Sequence, residues 1–197
     1  VSGCPPPAVD YNYPVCETES LNLSATFSAL ANYSWSGPNG FSGSGSAVTI
    51  PEVELADSGI YSVQITFDGL DCLIDTFETV VIHPNPIISL SSLQNVLCFG
   101  NDDGYIATDV VGAEPIFYSW SNSATVDSIS NLAPGEYILN VVDEYSCVAS
   151  DTFNITEPSL LISSASILTD FNGFNVSCFA DSNGLAEVVY SGGTSPY

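Results

Sequence analysis

Apolar and polar residues alternate along much of this chain, in short runs rather than long ones. Leu21, Leu23 and Ala25 are spaced by polar neighbours, as are Tyr61, Val63, Ile65 and Phe67, and again Tyr137, Leu139 and Val141. A period of two puts successive apolar side chains on one face of a strand. The runs 47–50, 104–111, 116–120 and 147–155 are rich in strand-forming residues, with clusters of Gly, Pro, Asn and Ser between them. Helical periodicity is hard to find. The pattern predicts an all-β chain of tandem small antiparallel β-sandwiches in a linear array.

The strand pattern is repeated. CFGNDDGYIATDVVGAEPIFY (98–118) aligns with CFADSNGLAEVVYSGGTSPY (178–197), matching Cys98 with Cys178, Gly104 with Gly184 and Gly112 with Gly192 at one offset of 80 residues. A register kept through three landmarks marks a repeated structural unit. A weaker echo links Tyr33-Ser34-Trp35-Ser36 with Tyr118-Ser119-Trp120-Ser121, and Gly59-Ile60-Tyr61 with Gly135-Glu136-Tyr137. Asp75-Thr76-Phe77 returns as Asp151-Thr152-Phe153, 76 residues on, like the Gly and Tyr pair. The expected divisions are 1–14, the end of a preceding repeat and a linker; 15–84, a first sandwich; 85–158, a second; and 159–197, a linker and the start of a third. A copy interrupted at Tyr197 implies a longer array. Short joints at Pro84-Asn85-Pro86 and Glu157-Pro158 are expected to be stiff.

Composition narrows the function. With no Lys or Arg against 23 acidic residues, the formal charge is −23, and the fold must be held by packing and covalent links. The 45% apolar fraction is ample for globular cores, and the dispersed acids keep neighbouring chains apart. Nucleic acids and anionic membranes are bound through basic residues, so both are excluded as partners. No run of 18 apolar residues is present for direct membrane insertion.

Six cysteines recur at equivalent places. That pattern argues for disulfides in an oxidising, extracellular setting. The expected pairs are Cys16 with Cys72 and Cys98 with Cys147, leaving Cys4 and Cys178 to partners elsewhere. Each bridge would be worth about 4 kcal/mol in the chain-entropy treatment.

Candidate chemistry is sparse. His83, the single histidine, lies beside Pro84 without a recognisable triad, and reads as a linker histidine. GFSGSGS (40–46) fits neither a nucleophile elbow nor a Walker loop and reads as a flexible loop. Paired carboxylates suffice for glycosidase chemistry, but a repeat this small is a poor host for a cleft. Asn101-Asp102-Asp103-Gly104 and its counterpart Asp181-Ser182-Asn183-Gly184 offer oxygen ligands to calcium. The competing reading is a turn whose Asn, Asp and Gly tolerate positive φ. No catalytic residue and no cofactor other than that calcium is expected.

Trp35, Asp57-x-Gly59-x-Tyr61 and a late cysteine together resemble an immunoglobulin-like sandwich, although Val63 stands where that family has its second Cys. The set Cys98-Phe-Gly-Asn-Asp-Asp-Gly104, YSWSNSAT (118–125), Asn131-Leu-Ala-Pro-Gly135-Glu-Tyr137, Cys147 and Ile155-Thr-Glu-Pro158 resembles the SprB repeat of gliding-motility adhesins. It departs from that repeat at Ser146, where a Gly is usual, and in the run 159–177, longer than 87–97. The resemblance implies a non-catalytic, load-transmitting segment of a very large cell-surface adhesin of Bacteroidetes, exported by the type IX system. Its implied partners are the gliding and secretion machinery and, through other parts of the protein, an extracellular surface or polysaccharide. The alternative is a carbohydrate- or protein-binding sandwich of a secreted protein, which would present exposed aromatics. Trp35 and Trp120, inside alternating strands, are expected in the core instead.

Overall fold

The computed structural model describes residues 8–68 and 72–196. Among them, regular structure is β-strand apart from two single 3-10 turns, Pro38–Gly40 and Leu55–Asp57. The all-β expectation is met. The chain divides into two compact units. One runs to Ile88 and includes Val110–Ser119 and Asn140–Ser150; the other comprises Ser89–Asp109, Trp120–Leu139 and the chain from Asp151 on. Segments on both sides of the expected joint at 84–86 therefore share the first unit.

The first unit contains β1 (Val9–Tyr11), β2 (Val15–Cys16), β3 (Leu21–Ala25), β4 (Ala31–Ser36), β5 (Ser42–Ser44), β6 (Ala47–Ile50), β7 (Gly59–Phe67), β8 (Leu73–Val80) and β9 (Ile82–His83). They form a sheet β1-β3-β6, a sheet β5-β4-β7-β8 and a parallel pair β2-β9. Alternation dictates the facing: Leu21, Leu23 and Ala25 are buried while Asn22 and Ser24 are exposed, and Tyr61, Val63 and Ile65 are buried in β7. Both inner faces meet in one cluster with Tyr33, Trp35 and Val80. Each such aliphatic side chain taken from water stabilises by about 1.5–3 kcal/mol.

The next strands are β10 (Ile87–Gln94), β11 (Gly104–Val111), β12 (Phe117–Trp120), β13 (Ser128–Leu132), β14 (Gly135–Val142) and β15 (Val148–Ile155). They form two three-stranded sheets, β10-β11-β13 and β12-β14-β15. In the second unit Ile106, Ile129 and Leu132 from one sheet and Trp120, Leu139 and Phe153 from the other are buried, and the Trp120 and Phe153 rings lie 5.8 Å apart. Gly104 is a landmark for a steric reason: a Cβ there would stand 2.8 Å from the Leu132 carbonyl oxygen and 2.9 Å from a methyl of Ile155. Finally β16 (Ile162–Ile167) pairs antiparallel with β17 (Ala186–Ser191), Ile162 opposite Ser191 and Ile167 opposite Ala186. The run before Cys98 thus holds strand β10, and the run before Cys178, expected as a linker, holds strand β16.

The cysteine pairing differs from the expectation. Cys16 is bonded to Cys147, with Cα atoms 5.5 Å apart. Cys72 is in a disulfide of its own, not with Cys16, and Cys98 and Cys178 are exposed free thiols. Cys4 lies outside the described residues. Strand lengths explain the correction. Thr66 pairs with Leu73 at one end of the β7-β8 hairpin and Gly59 with Val80 at the other, so Cys72 sits at the turn. Cys16 pairs with His83, beyond Val80. The hairpin separates these ends by roughly 23 Å, whereas a bridge needs Cα atoms within about 7 Å. Cys147 and Cys98 are likewise kept apart by β15. Cys147 immediately precedes that strand; Cys98 lies beyond its other end, where Val96 N–H bonds Thr156 O and Gly100 N–H bonds Glu157 Oε2.

Candidate functional site

The best-built polar constellation surrounds the Cys16–Cys147 bridge, inside the first unit. Cys16 is fixed by β2: Val15 and Cys16 pair with Ile82 and His83, and Glu17 N–H donates to His83 O at 2.9 Å. The Glu19 carboxylate accepts the Cys16 N–H at 3.1 Å, and Asn85 Nδ2 donates to Glu17 O. Both residues of β2 and both of β9 are buried, which limits the access of water to the short parallel pair.

Cys147 is presented by the turn between β14 and β15. Asp143 Oδ1 accepts the N–H groups of Tyr145 and Cys147, each at 2.9 Å. Asp143 N–H bonds back to Cys147 O, Ser146 N–H to Asp143 O, and Glu144 N–H to Ala113 O. An aspartate is suited to this place because one carboxylate oxygen can close a turn over two amides. The geometry also forces Ser146 to φ 66°, the left-handed region that favours glycine. This is the physical sense of the Gly usual at that position.

His83, expected as a linker histidine beside Pro84, is buried at the end of β9. It is 8% exposed and stacks on Tyr145, ring centroids 3.7 Å apart. Its Nε2 and the Oδ2 of Asp143 are buried without a hydrogen-bond partner among the described residues. The stack makes His83 a packing element of the staple. Asp143 and Tyr145 were missed from sequence; the only signal was an Asp four residues before a cysteine between two strand patterns.

The other candidates fall elsewhere. The loop before Gly104 is closed internally: Asp103 Oδ1 accepts Leu97 N–H at 3.0 Å, and Asp103 O accepts Gln94 Nε2. Its counterpart repeats the bond 80 residues later, Asn183 Oδ1 accepting Ser177 N–H at 3.1 Å. Among the described residues, no group of three or more His, Cys, Asp and Glu is placed to hold a metal. The 40–46 segment, expected as a flexible loop, contributes edge strand β5, and Gly45 O accepts the indole N–H of Trp35 at 2.9 Å. Trp120 donates to Val126 O at 2.8 Å. Trp35 and Trp120 are 1% and 3% exposed, so neither forms a sugar-stacking platform.

The tyrosine corner is present. Tyr61 hydroxyl donates to Asp57 O at 2.9 Å, and Tyr137 hydroxyl to Ala133 O at 3.0 Å. Burial first, then the nearby Asp57 carboxylate, raises the Tyr61 pKa above 10.0.

Solved structures of tandem immunoglobulin-like proteins align with the chain at low identity. Three N-terminal domains of the outer capsid protein Hoc of bacteriophage RB49 are 14% identical, over 94% of this chain and 68% of that one, with a TM-score of 0.41. A C-terminal intimin fragment in complex with the intimin-binding domain of its translocated receptor gives 8% identity, coverage of 79% and 65%, and a TM-score of 0.49. A three-immunoglobulin-domain titin fragment gives 13%, 95% and 88%, and 0.40. No curated protein matches the chain. The family model described as SprB repeat matches residues 90–125, from the middle of β10 past β12.

Proposed function

We propose that this chain is a non-catalytic, load-transmitting segment of a very large secreted cell-surface adhesin, used in gliding motility and in attachment to surfaces. The observation that carries the reading is the SprB match at 90–125 in a chain built of successive β-sandwich sheets. The buried indoles and the Cys16–Cys147 bridge support a mechanical role over a sugar-binding one. In this role the protein works outside the cell, without a metal or cofactor. Its adhesive contacts with a surface or polysaccharide are made by other parts of the same protein, and the gliding and export machinery are its cellular partners.

The test is made on living cells of the source bacterium. Beads coated with antibodies against this chain should bind intact cells and travel along them. Beads that bind and stay still would remove the gliding role, and failure to bind intact cells would remove the surface location.

A further inference from the structure

We propose that the Cys16–Cys147 bridge is the load-bearing strut of this stretch, and that residues 17–146 lie off the path of any pull along the chain. The argument is one of connectivity. Force entering from the N-terminal side follows the backbone to Cys16, where two routes to Cys147 open. One is the Sγ–Sγ bond, spanning 5.5 Å between Cα atoms; the other is a backbone loop with a sequence separation of 131. The shorter, covalent route becomes taut first. The loop then stays slack until a covalent bond breaks. Hydrogen bonds within that loop, each contributing about 0.5–1.5 kcal/mol, are never set against the load.

Both attachment points are anchored for such a task. Cys16 sits in the enclosed β2-β9 pair, and Cys147 is held by the Asp143 turn and braced by the His83–Tyr145 stack. Most of the first-unit core, including Leu21, Trp35 and Tyr61, lies in the shielded loop together with the SprB match at 90–125. The strand β15, which follows Cys147, remains on the loaded path. Bridges of the expected kind, each closed within one repeat, would instead have left the connection between repeats to bear the pull. The biological meaning of the strut rests on the load-transmitting reading, whereas its mechanical effect does not.

Single-molecule pulling of the 197-residue chain from its two ends tests this directly. With the bridge intact, only the 67 residues outside 17–146 can extend, which gives complete unfolding a length of about 220–240 Å. Treatment with tris(2-carboxyethyl)phosphine splits each disulfide into two thiols, as the phosphine takes oxygen from one water to become its oxide. The same pull should then yield about 650–710 Å, a threefold rise. The double variant Cys16→Ser with Cys147→Ser, left oxidised, should already extend beyond the oxidised parent. An oxidised parent that releases the full length would overturn the proposal, as would a double variant as short as the parent. If the variant fails to fold, the parent with and without phosphine decides alone. A short oxidised trace alongside stationary beads on cells would sink the gliding role and leave the strut standing.

Discussion

In both sandwiches a tryptophan gives its indole N–H to a carbonyl a few residues ahead, Trp35 to Gly45 and Trp120 to Val126, and a tyrosine reaches the carbonyl four residues behind it. The early cysteines do not agree in this way. Cys16 is buried in a bridge, while Cys98, its counterpart at the head of the next repeat, is an exposed thiol. The tryptophan and tyrosine bonds close within ten residues of sequence, so a local pattern is enough to produce them. The bridge closes across 131 residues, and depends on which strand ends the fold brings together.

The cysteine contrast gives the largest expected effect. A disulfide closing a loop of this length contributes up to about 5 kcal/mol in the chain-entropy treatment. Cys147→Ser should therefore lower the urea midpoint of the oxidised protein sharply, and Cys98→Ser should leave it within about 0.5 kcal/mol of the parent. Equal losses from the two variants would break the comparison. The tryptophans should behave alike: Trp35→Ala and Trp120→Ala, both emptying enclosed sites, should each cost about 3–5 kcal/mol. Denaturant curves that differ widely between them would show that the repeated YSWS motif plays different parts in the two sandwiches.

The tyrosines sharpen the comparison further. Tyr61 is fully enclosed and Tyr137 only half-buried. Tyr61→Phe leaves the Asp57 carbonyl without its phenol where water reaches poorly, at a cost of about 1–2 kcal/mol; Tyr137→Phe lets water replace the lost donor and should cost less. The pH dependence follows from the raised pKa of Tyr61. The folded state holds the phenol proton more tightly than the unfolded chain does. That stability is fully present below pH 10 and is lost as the pH climbs through 10 and up to the folded pKa. Melting temperatures followed from pH 9 to 11 should fall less steeply in Tyr61→Phe than in the parent.

These contrasts also mark how far the sequence could be read. Strand-rich composition located β6 and β11 at their observed bounds, and alternation placed Leu21, Leu23, Val63 and Leu139 inside. A half-buried strand writes its own facing into a period of two. The corner tyrosines and core tryptophans were legible for the same local reason. The strands β10 and β16 were not, because their Ser-rich alternation leaves most apolar positions exposed and marks no buried face. The staple was hidden by a two-residue parallel pair, β2-β9, too short to carry a pattern. Once the β7-β8 register is known, Cys72 at the turn and Cys16 beside His83 cannot meet, and the expected pair fails on length alone.

The smallest effect concerns the turn that presents Cys147. Ser146 holds φ 66° there, and Gly100, in the loop after Cys98, holds φ 78°. A side chain in the left-handed region costs roughly 1–2 kcal/mol, but glycine gives back about 0.4–1 kcal/mol through the greater freedom of the unfolded chain. Ser146→Gly should thus stabilise by about 0.5 kcal/mol, and Gly100→Ala should destabilise by a similar amount, both read from urea midpoints at unchanged slope. The third repeat makes the second substitution naturally: Ala180 stands 80 residues after Gly100 and keeps φ 69°. A small penalty is therefore tolerated in that loop. If Ser146→Gly instead weakens the protein, the serine is held by more than its backbone, and the turn at Cys147 is shaped by its Asp143 hydrogen bonds rather than by a preference for glycine.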